Sequence, residues 1–317
     1  KRKRKNSFIN FMALKIIFMG TPEFAVPILE ALNKSKHDII SVYTQPPQKK
    51  NRGQKLSISP VHKYSIKNNI FLRYPENLDT TDEYNYIKKN KPNVVVVVAY
   101  GKIIPPKLLN IKNIQFINIH ASLLPKWRGA APIQRAIINL DKETGISIMK
   151  IKEKLDSGPI MKMKKVKISS STRSKELSDK LSKLGSKMIL ESLDLIENKK
   201  AYFTSQNENE ATYAKKISKS ETKINWNDEG KKIIAKINAF SPFPGSWFFY
   251  NGIRIKVIKA KEVMSKGKPG EIINENFTIG CSDNAIEILE LQKEGKKRVT
   301  TKEYLKGNNL EIGKIIS

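Results

Sequence analysis

The pattern of apolar positions has two periods, and the change between them falls near the middle of the chain. Leu14 to Met19, apolar at every position but Lys15, predicts a strand. Gly20-Thr21-Pro22 follows, and then Phe24, Ile28, Leu29 and Leu32 recur at helical spacing, which predicts a helix starting near Pro22. A strand over 39–44, a helix over 59–68, a strand over 94–98, a strand from Gln115 and a helix over 132–139 continue the alternation. Val94 to Val98 is apolar at every position, as a strand covered on both faces should be. This succession predicts a Rossmann-like, doubly wound parallel sheet. After Gly145 the period becomes two, with Ile146, Ile148 and Ile151, then Ile160, Met161 and Met163, around the turn Leu155-Asp-Ser-Gly-Pro159. A paired-strand edge with a tight loop is expected there. A helix over 174–197 carries Leu177, Leu181, Leu184, Met188 and Leu195 on one stripe. The polar stretch 204–211 reads as a linker. Beyond it come a helix over 229–239, the proline and aromatic segment 241–250, and short strands around 253–259, 270–273, 277–281 and 286–291. That spacing predicts a small C-terminal β-barrel.

Composition adds a large positive charge. Lys and Arg number 59 against 30 Asp and Glu, a formal net charge of +29. Such a surplus favours a polyanionic partner, although a lysine-rich composition would produce it too. Residues 220–317 hold 17 Lys and Arg against 12 Asp and Glu, so most of the excess lies upstream. Residues 1–13, opening Lys-Arg-Lys-Arg-Lys, read as a disordered basic extension. Their apolar part is short and broken by Asn10, so a secretory leader is not expected. A single cysteine, Cys281, excludes an internal disulfide and fits a reducing compartment, the cytoplasm or an organellar matrix. With His37, His62 and His120 the only histidines, no metal centre is expected. No apolar stretch reaches the roughly 18 residues of a membrane span.

The candidate chemistry sits where the strand from Gln115 ends. Asn118 and His120 are two apart, so they share one face of an extended strand, while Ile117 and Ile119 take the other. The carboxyl ends of strands are where open α/β sheets bind ligands. A nucleotide site is not supported, because Gly20-Thr-Pro-Glu-Phe lacks the further glycines of a dinucleotide turn and no P-loop occurs. A hydrolase built on Ser122, His120 and Asp156 lacks a Gly-x-Ser-x-Gly elbow, and Ser122 lies too close behind the histidine. An Asn, a His and an Asp without a protein nucleophile suit direct transfer between two bound substrates. Asn118 and His120 can donate hydrogen bonds to an oxygen that gains charge as an amine attacks an acyl carbon. Asp156 can orient the imidazole and help move the amine's proton if its turn folds back; taken alone it would be an ordinary turn residue.

Asn118-Ile-His120-Ala-Ser122-Leu-Leu-Pro125, then Trp127-Arg-Gly-Ala-Ala-Pro-Ile-Gln134 and Leu155-Asp156-Ser-Gly158, resembles the signature of the folate-dependent formyltransferases. The resemblance runs from Leu14 to the end of the chain. It implies a catalytic domain over 14–203, a linker over 204–211 and an OB-fold-like barrel domain over 212–317 that helps hold tRNA. It implies 10-formyltetrahydrofolate as formyl donor, without a metal, and Asn118, His120 and Asp156 as the catalytic set. By the same resemblance Ser122, Leu123, Leu124 and Pro125 bind the folate, and Ile103 and Ile104, within Tyr100 to Pro105, border its pterin. The basic segment Gln48 to Leu56 corresponds to a loop that approaches a tRNA acceptor stem, with Arg52 as its arginine and Lys49, Lys50 and Lys55 beside it. Pro47-Gln-Lys-Lys-Asn51 departs there from the family's usual sequence, so the loop's detailed contacts are not carried over. The implied acceptor is methionyl initiator tRNA, met by a monomer. A formyltransferase for a small amine, such as a nucleotide sugar or glycinamide ribonucleotide, would keep the three residues without needing the loop or the barrel. A non-catalytic RNA-binding protein would explain the charge but not the Asn-x-His.

Overall fold

The computed structural model describes residues 13–50 and 55–316, apart from the side chains of Lys49, Lys50 and Lys55. In chain order the first elements are β1 (Lys15–Gly20), α1 (Val26–Asn33), β2 (Asp38–Tyr43), β3 (Gln48–Lys50), β4 (Lys55–Ser57), α2 (Pro60–Lys67), β5 (Leu72–Arg73), α3 (Thr81–Asn90), β6 (Val94–Val98), α4 (Pro106–Leu109) and β7 (Gln115–His120). They are followed by β8 (Arg128–Gly129), α5 (Pro132–Ile138), β9 (Glu143–Lys150), β10 (Ile160–Lys167) and α6 (Ser174–Glu197). The remainder is β11 (Tyr213–Ala214), α7 (Gly230–Phe240), β12 (Ser246–Tyr250), β13 (Ile253–Val263), β14 (Ile272–Asn274), β15 (Thr278–Gly280), β16 (Ala285–Lys293), β17 (Arg298–Thr300) and α8 (Thr301–Leu305). Pro22 precedes a single 3₁₀ turn at Glu23–Ala25 before α1 begins, so the helix predicted from Pro22 starts four residues late.

The chain packs as two compact units that interleave in sequence. One comprises the residues up to Pro125, Ile146–Lys164 and Leu181–Glu210; the other comprises Lys126–Gly145, Lys165–Lys180 and everything from Ala211.

The first unit contains most of a seven-stranded sheet in the order β10-β9-β7-β6-β1-β2-β5. The strands from β5 to β7 in that order are parallel. β9 runs antiparallel to β7, so the expected parallel sheet is mixed at the edge where period-two residues appear. Val94–Val98 is buried along its whole length, as its composition requires. Gly185 of α6 faces Ile119 and Ile28, and a β-carbon there would stand 3.2 and 3.3 Å from them; the glycine lets the helix lie close on the strand that ends in His120. The stretch read as a linker is built in at its start, where Thr204 pairs with Ile160 through two backbone hydrogen bonds of 2.8 Å. The basic segment is not loop throughout: β3 and β4 form an antiparallel ribbon, with Gln48 opposite Ser57.

In the second unit the short strands form one antiparallel sheet, β12-β13-β16-β15-β14 with β17 on β16. Its core includes Trp226, Phe248, Tyr250, Phe277, Ile286 and Leu291. The same unit holds the parallel bridge of β8 with β11 and the fork by which Arg135 binds Glu221 at 2.9 and 3.1 Å. No helix among the described residues is long and apolar enough to cross a membrane.

Candidate active site

β7 delivers Asn118 and His120 to one face at the carboxyl end of the sheet, and Ile117 and Ile119 are buried on the other. His120 is itself buried, 6 % exposed. The third residue arrives from the β9–β10 connection. Asp156 lies there with φ at +46°, in the left-handed region that aspartate tolerates better than most residues. Its carboxylate spans the pair: Asn118 Nδ2 donates to Oδ1 at 3.4 Å, and His120 Nδ1 stands 3.6 Å from Oδ2. The second distance is beyond hydrogen-bond length and within ion-pair reach, and such contacts tighten when substrate binds.

Two features hold Asp156 in place. Gly158 leaves no room for a side chain, since a β-carbon would come within 1.7 Å of the Lys150 carbonyl oxygen. Gln206 Nε2 donates to the carbonyls of Asp156, at 2.9 Å, and Gly158, at 2.7 Å. Neither Gln206 nor its role is visible from sequence, where it sits in a polar run between the two expected domains.

The segment after His120 is fastened by another residue that the sequence reading missed. Ser147 of β9 lies opposite His120, is fully buried, accepts from the Leu124 amide at 3.1 Å and donates to the Ser122 carbonyl at 2.7 Å. A hydroxyl between two buried isoleucines, Ile146 and Ile148, was the available signal. Ser122 and Leu124 are buried, Leu123 and Pro125 partly so, and the Leu124–Pro125 peptide is cis. The single N–H of Leu124 is thus engaged within the protein, so a heterocycle held along this stretch would take its donor from another group. A cleft of about 390 Å³ opens beside it, lined by Leu124, Pro125, Ile160, Met161, Met163 and Gln206 among others.

The two isoleucines expected at the pterin part company: Ile104 is packed into the apolar cluster with Tyr100 and Leu108, whereas Ile103 is 88 % exposed. Tyr100 is buried, and its carbonyl accepts from Thr21 Oγ1 at 2.8 Å and Gln45 Nε2 at 3.2 Å. Arg52 lies outside the described residues, and of Lys49, Lys50 and Lys55 only the backbone is described, in β3 and β4. The basic extension before Ala13 also lies outside them. Away from this site, His37, Asp194 and Glu197 bring potential metal ligands within 4.8 Å of one another. There the Lys36 ammonium stands 3.2 Å from Asp194 and 2.6 Å from Glu197, which makes the group an ion-pair cluster.

Residues 14–193 match the formyl transferase family model, and residues 216–309 match the model of the formyl transferase C-terminal domain. Over 308 residues the chain is 47 % identical to the methionyl-tRNA formyltransferase of Pelagibacter ubique, covering 96 % of this chain and 99 % of that one. It is 42 % identical over 313 residues to the methionyl-tRNA formyltransferase of Dictyoglomus thermophilum, covering 95 % and 99 %. Among solved structures, HypX from Aquifex aeolicus in complex with tetrahydrofolic acid superposes with a TM-score of 0.66 at 18 % identity, over 93 % of this chain and 47 % of that one, a likeness of fold. Two family models that between them span both parts of the chain, and full-length relatives at this identity, establish that the chain belongs to the formyl transferase family.

Proposed function

We propose that this chain transfers the formyl group of 10-formyltetrahydrofolate to the free amino group of methionine carried on initiator tRNA, the reaction that the full-length relatives' name describes. The observation that supports the site assignment is the Asp156 carboxylate, which meets Asn118 with one oxygen and approaches His120 with the other. The folate supplies a formyl carbon already bonded to a nitrogen that can leave. As the amine attacks, a carbon–nitrogen bond forms and the formyl oxygen gains charge. Asn118 has a second N–H beyond the one directed at Asp156, and His120 has its Nε2 beyond the nitrogen that faces the carboxylate, a donor when that nitrogen carries hydrogen. Both donors stabilise the oxygen, each contact being worth about 10²–10³ in rate where such donors have been removed. The proton lost by the amine passes to the Asp156 carboxylate, the member of the pair that accepts while His120 donates to the oxygen. Collapse breaks the bond to the folate nitrogen, which takes a proton as it leaves.

Ser122 to Pro125, with the apolar walls of the adjoining cleft, fit a flat heterocycle next to the acceptor amine. Lys49, Lys50, Arg52 and Lys55 form the cationic segment proposed to meet acceptor-stem phosphates, and each phosphate neutralised adds to the salt dependence of binding. Residues 14–203 act as the catalytic domain, 204–211 as the connection and 212–317 as an OB-fold-like domain that steadies the tRNA. The enzyme works as a monomer in the cytoplasm or an organellar matrix. The test is formyl transfer from 10-formyltetrahydrofolate to charged initiator tRNA, with a nucleotide-linked amino sugar and glycinamide ribonucleotide as competing acceptors. Formylation of the tRNA is expected; transfer only to a small amine, or to none, overturns the assignment.

A further inference from the structure

Strands β12 and β13 in the second unit pair antiparallel, with Trp247 opposite Lys256 and Phe249 opposite Arg254. Their inward residues, Phe248, Tyr250, Ile255 and Val257, belong to the core. The outward face of a hairpin at a sheet edge should be polar. Here it carries two aromatic rings and two cations. Trp247 and Phe249 meet edge to face with centroids 5.1 Å apart, and the Arg254 guanidinium carbon lies 4.1 Å from the Trp247 ring centroid. Trp247 Nε1 donates to Thr222 Oγ1 at 3.0 Å, which fixes the indole, while Phe249 remains 40 % exposed. Lys223 extends the cationic side, since its backbone bridges to Trp247. Among the described residues none of Lys223, Arg254 and Lys256 pairs with a carboxylate, whereas the neighbouring Lys261 and Arg298 of the same sheet pair with Glu287 and Glu290.

An exposed ring beside a guanidinium plane, rimmed by uncompensated positive charge, has the chemistry of a nucleobase platform. The rings and the guanidinium offer π-faces to a base, and the lysines offer charge to the phosphates on either side of it. A base inside a duplex cannot use such a surface, because both its faces are already stacked. We infer that Trp247, Phe249 and Arg254 form a stacking site for an unpaired base of the RNA substrate, with Lys256 and Lys223 on the flanking phosphates. This inference rests on the tRNA reading proposed above.

The experiment measures dissociation constants at fixed salt for uncharged initiator tRNA, a single-stranded octauridylate and an RNA duplex of equal length. The variants are Phe249→Ser, which removes an exposed ring, and Arg254→Lys, which keeps the charge and loses the plane. Each should weaken tRNA and single-strand binding about tenfold, the scale of one lost base stack, and leave the duplex within about twofold. Both variants should remain folded, with the unfolding temperature lowered by no more than the few degrees that one lost ring or guanidinium contact costs. Wild-type affinity for the single strand in both variants, or equal losses for single strand and duplex, overturns the platform. Failure of the wild-type enzyme to formylate charged tRNA would instead overturn the functional reading, and the octauridylate arm would still decide on the platform.

Discussion

Replacing Gln206 with leucine tests whether the loop carrying Asp156 is held in position from outside itself. The side-chain amide makes hydrogen bonds of 2.9 and 2.7 Å to the Asp156 and Gly158 carbonyls. Leucine has similar bulk and no donor. At about 1 kcal/mol of net stabilisation for each bond, the closed loop loses about 2 kcal/mol relative to an open one. Since 1.4 kcal/mol is tenfold in an equilibrium constant, the closed-to-open ratio falls by about thirtyfold. That figure is the ceiling on the loss of kcat/KM, reached only if the open loop already predominates in the wild-type protein; with the closed loop favoured about two to one the loss is near tenfold, the value expected. The effect works through the carboxylate, so it should vanish where the carboxylate is absent. The assay is steady-state formylation of charged initiator tRNA by the wild-type protein, Gln206→Leu, Asp156→Asn and the double variant. In the Asp156→Asn background the second change should cost less than about twofold. Two results would refute the reasoning: unchanged kcat/KM in the single variant, or the same factor lost in both backgrounds, which would make Gln206 a general structural residue.

Asp156→Asn should preserve folding and tRNA binding while lowering turnover by two or more orders of magnitude, and combining it with His120→Ala should cost far less than the product of the two losses, both read from single-turnover formylation. Ser147→Ala should reduce unfolding free energy by about 1–3 kcal/mol, because the Leu124 amide loses its buried acceptor, and should raise the KM for the folate more than that for tRNA. His37 is buried and accepts from the Leu14 amide at 3.3 Å; burial, with Lys36 beside it, holds its imidazole below the ordinary value of 6.5. The unfolded chain therefore takes up that proton first, so stability is intact above about pH 6.5 and declines as pH falls through that value. Denaturant titrations between pH 7.5 and 5 should show this decline in the wild-type protein and a flatter profile in His37→Gln.

β1, β2, β6 and β7 were legible because they are rich in apolar residues, and five consecutive valines admit few alternatives to a buried strand, whereas β3, β4 and β5, of two or three residues each, carried no such signal. Asn118 and His120 were legible for a related reason, since alternation along one strand fixes a shared face without any knowledge of the fold. That Asp156 meets them depends on a turn closing over a long stretch of chain, and here the family resemblance supplied what spacing could not. Helix α3 escaped the pattern because Thr-Asp-Glu-Tyr-Asn-Tyr-Ile-Lys-Lys-Asn has no continuous apolar stripe. It starts at a Thr80 cap and buries Ile87 together with Glu83, whose charge is matched by Arg73 at 2.7 Å. Ser147 and Gln206 escaped because their partners are backbone carbonyls and an amide, which leave no trace in the identity of a second residue.

The interleaving of the two units bears on how this protein can be dissected and recombined. The segment from Ala211 onward looks self-contained in sequence, yet its unit also includes Lys126–Gly145 and Lys165–Lys180. Cutting the chain near residue 204 would strip β11 of β8 and leave Glu221 without the guanidinium of Arg135. Ser241 and Asn238 would lose Ser174 and Ser170, which now bond to them at 3.1 and 2.9 Å. The C-terminal part is therefore poorly suited to being grafted, expressed or inherited as a detachable cassette. A chain that acquired it would have to adapt β8 and α5, with parts of β9, β10 and α6, at the same time, so lineages that exchange the acceptor are expected to reshape this part in place.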